Sequence, residues 1–222
     1  MGLVKKTIIL LTKSRKHGGY CTSGIDVENG SWIRIVSDGI GCNSDEIPYN
    51  QLICDNGEEA EIFDILEVDC IGYKPTYFQP ENYVKNRNIA LEKIGQSNLD
   101  EVIELHPYEE KDYIYYDDSY RIDDLYIKAL PIGQTYSLML IQVINPMVEV
   151  KTWEQGDKSV TFSFYYNGSY YRYIRSTCGF EQQYLNYNDG IYTILDTFSF
   201  VISLGETFGR DLKHYKLIAN VL

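Results

Sequence analysis

The sequence has few residues of the kinds that hold metal ions or build disulfide frameworks. It contains 3 histidines and 5 cysteines among 222 residues. No two cysteines have the short spacing of a zinc site, their number is odd, and the histidines lie far apart. We therefore expect no metal, no cofactor and reduced cysteines.

The common catalytic signatures are also missing. The chain has no P-loop, no dinucleotide-binding fingerprint, no nucleophile elbow and no HExxH. The acidic pairs Asp117-Asp118 and Asp123-Asp124 stand in segments without regular patterning and are most simply solvated. The sequence thus favours a protein that is not an enzyme.

Long apolar runs are absent as well. The run at 7–11 is too short for the hydrophobic region of a signal peptide or for a membrane span. We expect a soluble cytoplasmic protein that has no membrane partner.

Basic residues are scarce except at the start of the chain. There are 32 acidic and 20 basic side chains, which gives a net charge of −12. Residues 1–36 carry six basic and two acidic side chains, a local charge of +4. This balance disfavours nonspecific DNA binding through many Lys and Arg contacts. It is compatible with one focused contact to a nucleotide or a few nucleotides of a strand.

What the chain does have is strand-forming sequence. Short β-branched and aromatic runs alternate with turns, and Asn29-Gly30 and Asn167-Gly168 are typical of tight hairpins. Helix is expected only at 84–94 and after an N-cap at Ser97. The pattern predicts a mostly β protein with short helices in the first half, which favours a sandwich or small barrels, and each half has about enough strands for a small five-stranded barrel. The predicted domains are 1–130, with an acidic Tyr-rich segment, and 131–222.

The strongest local signal is a basic turn between the first two strands. Lys13, Arg15 and Lys16 precede Gly18-Gly19, whose backbone donors could complete an anion site. A solvated basic loop is the alternative. Cys21 follows the turn, and it is either a nucleophile with His17 as base or a small buried strand residue.

An indole and a guanidinium follow on the third strand. Trp32 and Arg34 are two residues apart and therefore share one sheet face, where they could hold a planar ring and a phosphate. The alternative is a core Trp beside a structural ion pair. Near the end of the chain, Lys216 could pair with Glu206 or contact a phosphate.

These residues resemble a known family in their order and spacing. The resemblance is to the bacterial dual OB-containing domain family, and it rests on Ser14-Arg15-Lys16, Gly19-x-Cys21, Gly24, Trp32-Ile33-Arg34, Gln79-Pro80-Glu81-Asn82-Tyr83, Ser203-Leu204-Gly205-Glu206 and Tyr215-Lys216-Leu217-Ile218-Ala219. It implies two OB barrels, a prokaryotic defence context and a nucleic-acid or nucleotide ligand, with no established chemistry. The chain departs from the family pattern at Ile35 and at Thr177-Cys178-Gly179.

We therefore predict a non-catalytic module for single-stranded nucleic acid or a nucleotide, an accessory protein of a prokaryotic defence system. Cations of the first strands would meet phosphate, and Trp32 with Tyr20, Tyr83 or Tyr215 would stack on bases. The predicted binding residues are Lys13, Arg15, Lys16, Cys21, Trp32, Arg34, Asn82, Tyr83, Thr177, Glu206, Tyr215 and Lys216.

Two alternatives stay open. The acidic Tyr-rich surface at 108–126 could dock a partner protein of a defence complex, because tyrosine is enriched at interface hot spots. The protein could also be an enzyme that uses Cys21 or Glu206.

Overall fold

A computed structural model describes residues 3–16, 18–40, 45–131, 133–210 and 212–222. It is mostly β, as predicted, and the chain folds as two compact units, 1–107 and 108–222. The first unit ends at residue 107, whereas the first domain predicted from the sequence runs to residue 130. The acidic Tyr-rich segment groups with the second unit.

The first unit is a closed five-stranded barrel with one added strand. Its strands pair in the order β1-β2-β3-β5-β4, and β4 pairs again with β1. All these pairings are antiparallel except β3 with β5. The elements are β1 (Val4–Lys16), β2 (Gly19–Asp26), β3 (Trp32–Val36), β4 (Asp64–Tyr73), β5 (Asn82–Lys85), β6 (Glu92–Gln96) and α1 (Leu99–Leu105), with a 3-10 turn at Tyr49–Gln51.

One long strand closes this barrel. β1 pairs with β4 through residues 4–9 and with β2 through residues 8–16. The register with β2 shifts between Leu10 and Thr12, and such a bulge bends a strand. Gly24 lies at this bend, where a Cβ atom would stand 2.1 Å from the Ile9 carbonyl oxygen. Inside the barrel, Ile8, Leu66 and neighbouring apolar side chains form the core.

The prediction of a helix at 84–94 is wrong. That stretch forms β5, a turn and β6 instead. The Lys85 ammonium donates to the carbonyl oxygens of Asn86 and Ile89, which ties the turn together. The second predicted helix is confirmed as α1, but its N-cap is Asn98, whose side chain accepts from the Glu101 N–H.

The second unit repeats the strand order of the first. Its sheet runs β12-β9-β10-β11-β14-β13-β8, with β11 parallel to β14. β8 and β9 are consecutive and are separated only by Asn145-Pro146, so together they act as one broken first strand. The elements are β7 (Arg121–Asp123), α2 (Asp124–Lys128), β8 (Leu138–Ile144), β9 (Met147–Thr152), β10 (Lys158–Tyr166), β11 (Ser169–Ser176), β12 (Gly190–Thr193), β13 (Thr197–Phe208) and β14 (Lys213–Val221), with a 3-10 turn at Phe180–Tyr184.

The Tyr-rich segment packs into this second unit. Tyr115 is buried, and its hydroxyl lies 2.8 Å from the Ser137 carbonyl oxygen and 2.9 Å from that of Ile202. The Tyr108 hydroxyl lies 2.6 Å from the Ser199 hydroxyl. These rings anchor the segment to the sheet. Within the described residues, no helix is both long and apolar enough to cross a membrane.

Candidate functional site

The three cations of the basic turn are divided between the two faces of the β1–β2 hairpin. Lys13 and Arg15 pair with Thr22 and Tyr20, on the face of the barrel core. Lys16 pairs with Gly19 and points to the opposite, outer face. The turn between β1 and β2 is shorter than the polar turn expected at 13–19, because β1 continues to Lys16 and β2 begins at Gly19.

Lys13 is held by carboxylates. Its ammonium lies 3.0 Å from Glu59 Oε1, 2.9 Å from Glu61 Oε1 and 2.9 Å from the Ala60 carbonyl oxygen. Burial lowers the pKa of Lys13, but the bonds to Glu61 and Glu59 outweigh it and the pKa is raised overall. A phosphate would have to displace two carboxylates to reach this ammonium.

The indole lies at the other end of the outer face. Trp32 pairs with Ile25, six residues along β2 from the Gly19 partner of Lys16, which is about 20 Å of strand. Its ring is half-buried and meets the His106 ring edge-on at 5.2 Å. The structure therefore does not bring the basic turn and the indole together.

Between them runs a row of buried polar side chains. Thr12, Ser23, Arg34 and Asn82 are cross-strand neighbours on β1, β2, β3 and β5. The Thr12 and Ser23 hydroxyls are 2.7 Å apart. The Asn82 carboxamide is wholly buried, and neither of its polar atoms has a hydrogen-bond partner among the described residues. Arg34 and Asn82, both predicted site residues, thus lie together on this row.

The remaining predicted residues of the first unit have packing contacts. Tyr20 and Tyr83 pack against the barrel core, so neither ring lies on the outer face with Arg34. The Tyr83 ring meets Tyr73 at 5.0 Å and has the Lys6 ammonium 5.1 Å from its centre. Cys21 is half-buried opposite Ser14. His17, its proposed base, lies outside the described residues.

In the second unit, Thr177 and Glu206 occupy strand ends. Thr177 follows β11, and its N–H and hydroxyl both donate to the Ile218 carbonyl oxygen. Glu206 is half-buried on β13, where the register with β14 shifts between Leu204 and Thr207.

Tyr215 belongs to a continuous series of aromatic and guanidinium groups on this unit. Tyr165 and Tyr170 face each other across the β10–β11 hairpin with ring centres 4.7 Å apart. The Arg172 guanidinium lies 5.8 Å from the Tyr170 ring centre and 5.3 Å from that of Tyr173. Tyr173 meets Tyr120 at 6.0 Å.

The series continues onto the last strands. The Tyr120 ring meets Tyr215 at 5.9 Å, and Tyr215 meets Phe208 at 6.3 Å. The Arg121 guanidinium lies 5.2 Å from the Tyr120 ring centre. We name this surface the tyrosine–arginine face, made up of Tyr120, Arg121, Tyr165, Tyr170, Arg172, Tyr173, Phe208 and Tyr215.

Three rings of this face are open to solvent, and each has a half-buried ring behind it. Tyr165 is 65% exposed, Tyr173 46% and Phe208 75%. Their partners Tyr170, Tyr120 and Tyr215 are half-buried. Exposed aromatics held by neighbouring rings are ordered before any ligand arrives, which lowers the entropy cost of stacking.

The β10–β11 hairpin, which carries half of the residues of this face, is basic. Residues 158–176 hold Lys158, Arg172 and Arg175 and no acidic side chain. Arg172 and Arg175 are exposed, and neither takes part in an ion pair within the described part of the chain. Only Tyr215 of this face is among the residues predicted from the sequence, although the run Tyr-Tyr-Asn-Gly-Ser-Tyr-Tyr-Arg-Tyr-Ile-Arg at 165–175 shows both features.

Lys216 lies beneath the face, not on it. Its side chain is fully buried, and its ammonium lies 2.8 Å from Asp117 Oδ1 and 2.6 Å from the Asp117 carbonyl oxygen. The Tyr171 ring centre is 5.1 Å away. Burial lowers the pKa of Lys216 to about 8, although the bond to Asp117 raises it. Glu206 or a phosphate was the partner expected from the sequence, and the structure shows Asp117 instead.

Comparison with known protein families gives a match over nearly the whole chain. The sequence model of a family described as dual OB-containing domain matches residues 6–221. No curated protein and no solved structure matches.

Proposed function

Because the chain belongs to the dual OB-containing domain family, we propose that it is a non-catalytic binding module whose tyrosine–arginine face holds a single nucleic-acid strand. OB folds bind oligonucleotides on the face of their second and third strands. In the second unit those strands are β10 and β11, which carry Tyr165, Tyr170, Arg172 and Tyr173. The series of exposed rings and guanidinium groups on this hairpin is the observation that carries the proposal.

The spacing of the rings favours a strand over a duplex. Tyr173 lies three residues along β11 from Tyr170, the partner of Tyr165, which is about 10 Å of strand. Neighbouring bases in a duplex are only about 3.4 Å apart along the helix axis. Bases that stack on these rings must therefore be separated from each other, and a duplex does not expose its base faces. A mononucleotide would use one ring and leave the others unoccupied.

Fluorescence anisotropy with a labelled oligonucleotide of about 12 nucleotides tests this proposal. We expect Tyr173→Ala to lower the affinity about fivefold or more, since one stacked base contributes roughly 1–3 kcal/mol. Arg172→Ala should lower it too, and should reduce the slope of log K against log salt by about 0.7, the value for one phosphate contact to a single strand.

Lys151→Ala is the matched control. Lys151 is an exposed cation on β9 of the same unit, and its ammonium lies over the Trp153 ring, not in the tyrosine–arginine face. It should leave both affinity and salt slope nearly unchanged. If the wild-type protein binds no strand at low salt, or if Tyr173→Ala and Lys151→Ala have equal effects, the proposal is wrong.

A partner protein is the second candidate. Several tyrosines of the acidic segment pack inward, but α2 presents Leu125 at 75% exposure beside an exposed Tyr126. Neighbouring exposed apolar side chains mark interaction surfaces, and tyrosine is enriched at interface hot spots. Leu125→Ser should abolish co-purification of a stoichiometric partner from the host, while it leaves oligonucleotide binding intact.

The family resemblance adds the proposal that this module serves a prokaryotic defence system in the cytoplasm. It predicts that deletion of the gene raises phage plaque counts on the native host. A return to the original counts with the wild-type gene, but not with the Tyr173→Ala gene, would connect the defence to the face.

A further inference from the structure

The tyrosine–arginine face depends on a turn that has no regular secondary structure of its own. Tyr120 contacts both Tyr173 and Tyr215, so it joins the hairpin part of the face to the β14 part. It lies at the end of residues 117–120, directly before β7. The contacts that hold this turn in place therefore also hold the Tyr120 ring in the middle of the face.

Two kinds of bond hold the turn to β14. The Lys216 N–H donates to the Tyr120 carbonyl oxygen at 3.0 Å, and Arg121 of β7 pairs with Tyr215. At the start of the turn, the Lys216 ammonium donates to the carboxylate and to the carbonyl oxygen of Asp117. One lysine thus binds both ends of a four-residue turn.

The turn is also bonded within itself around the same carboxylate. Ser119 donates to Asp117 Oδ1 through its N–H at 3.0 Å and its hydroxyl at 2.9 Å. The Tyr171 hydroxyl donates to the Asp117 carbonyl oxygen at 3.0 Å. The ammonium therefore fixes a carboxylate that in turn orders the backbone leading to Tyr120.

We propose that Lys216 is a positioning residue for ligand binding, which holds the 117–120 turn so that the Tyr120 ring joins the two parts of the face. This inference rests on the proposed function. Lys216 itself cannot contact a ligand, because its side chain is fully buried. Without the ammonium, the carboxylate and the carbonyl oxygen of Asp117 lose the donor that ties them to β14, so loss of the ammonium should loosen the turn.

Lys216→Met tests the inference, because methionine keeps an unbranched apolar side chain and cannot donate. Hydrogen exchange measured by mass spectrometry should become faster in peptides that cover 114–121 and stay unchanged in β8. Lys213→Met is the matched control, since Lys213 lies on the same strand in a partly exposed ion pair with Asp123. It should change neither exchange nor affinity.

A double-mutant cycle connects the turn to binding. Oligonucleotide affinity should fall about fivefold or more in Lys216→Met, as for loss of one stacked base. In the Tyr120→Ala background, Lys216→Met should have little further effect, because both changes remove the same ring contact. An equal additional loss in that background would show that Lys216 does not act through Tyr120.

The exchange measurement separates this inference from the proposed function. Unchanged exchange at 114–121 in Lys216→Met would overturn the positioning role, whatever the affinity. Faster exchange together with no oligonucleotide binding by the wild-type protein would overturn the proposed function and, with it, the role in binding. If Lys216→Met does not fold, Asp117→Asn removes the charge at nearly constant volume and should give the same pattern in weaker form.

Discussion

The buried ammonium of Lys216 makes the stability of the second unit depend on pH in a predictable direction. An unfolded chain keeps its lysines protonated up to about pH 10.4. Burial lowers the pKa of Lys216 to about 8 in the folded protein. Between these two values the unfolded state binds more protons, so the free energy of unfolding should rise with pH.

The magnitude follows from the two pKa values. Each full proton of difference is equivalent to about 1.36 kcal/mol per pH unit, and Lys216 in the folded state is about half deprotonated at pH 8 and about nine-tenths deprotonated at pH 9. We expect a gain of about 1 kcal/mol over that unit. The window must end below pH 10, because burial raises the pKa of Tyr171 to about 12, and tyrosine ionisation then favours unfolding.

The assay is urea denaturation followed by circular dichroism at pH 7, 8 and 9, on the wild type and on Lys216→Met. The difference between the two proteins removes the contribution of every other titrating group that both share. We expect the free energy of unfolding of the wild type, relative to that of Lys216→Met, to rise by about 1 kcal/mol from pH 8 to 9. A flat difference, or one that moves against the wild type, would refute the reasoning about a desolvated lysine.

Two further predictions concern the first barrel and the cysteines. Gly24→Ala should destabilise the protein by more than about 4 kcal/mol in the same denaturation assay, since its Cβ would clash with the Ile9 carbonyl oxygen, whereas Gly95→Ala should change it by less than about 1 kcal/mol. Equal effects would remove the argument for a close strand contact. Burial raises the pKa of the Cys70 thiol to about 11, so iodoacetamide at pH 8 should label Cys178 well before Cys70 in the native protein. Peptide mass spectrometry measures this order, and labelling of Cys70 at its rate in urea would contradict it.

Much of the strand content could be predicted from the sequence, because strands leave a local signal. The hairpin predicted at Asn167-Gly168 is confirmed, since β10 ends at Tyr166 and β11 begins at Ser169. The helix predicted at 84–94 failed for a tertiary reason. β5 must enter between β3 and β4 to close the barrel, and the Lys85 ammonium then binds the turn that follows. Neither the closure nor this buried lysine leaves a pattern in a short window of sequence.

The site was harder to predict because side-chain direction depends on register. Lys13 and Lys16 are close in sequence, yet the pairing of β1 with β2 places them on opposite faces. The prediction from local charge alone therefore assigned to one site cations that the fold places on opposite faces. The Tyr120 and Tyr215 rings are 95 residues apart in the chain and meet only because β7 pairs with β14. No local pattern could have joined them.

The two units show why the fold alone does not determine the ligand. Both arrange their strands in the same order, with a parallel pair between the third and the last strand. On the first unit, the outer face of the second and third strands carries the buried Ser23 hydroxyl and Arg34 guanidinium, next to the Asn82 carboxamide of β5. On the second unit, the equivalent strands carry exposed rings and arginines at Tyr165, Arg172 and Tyr173. Stacking needs open aromatic surface, and among the described residues the β10–β11 hairpin has it on this face, whereas the Trp32 ring of β3 is half-buried beside His106. The same strand order therefore presents different side chains on the two units, exposed rings and arginines on the second and a buried polar row on the first.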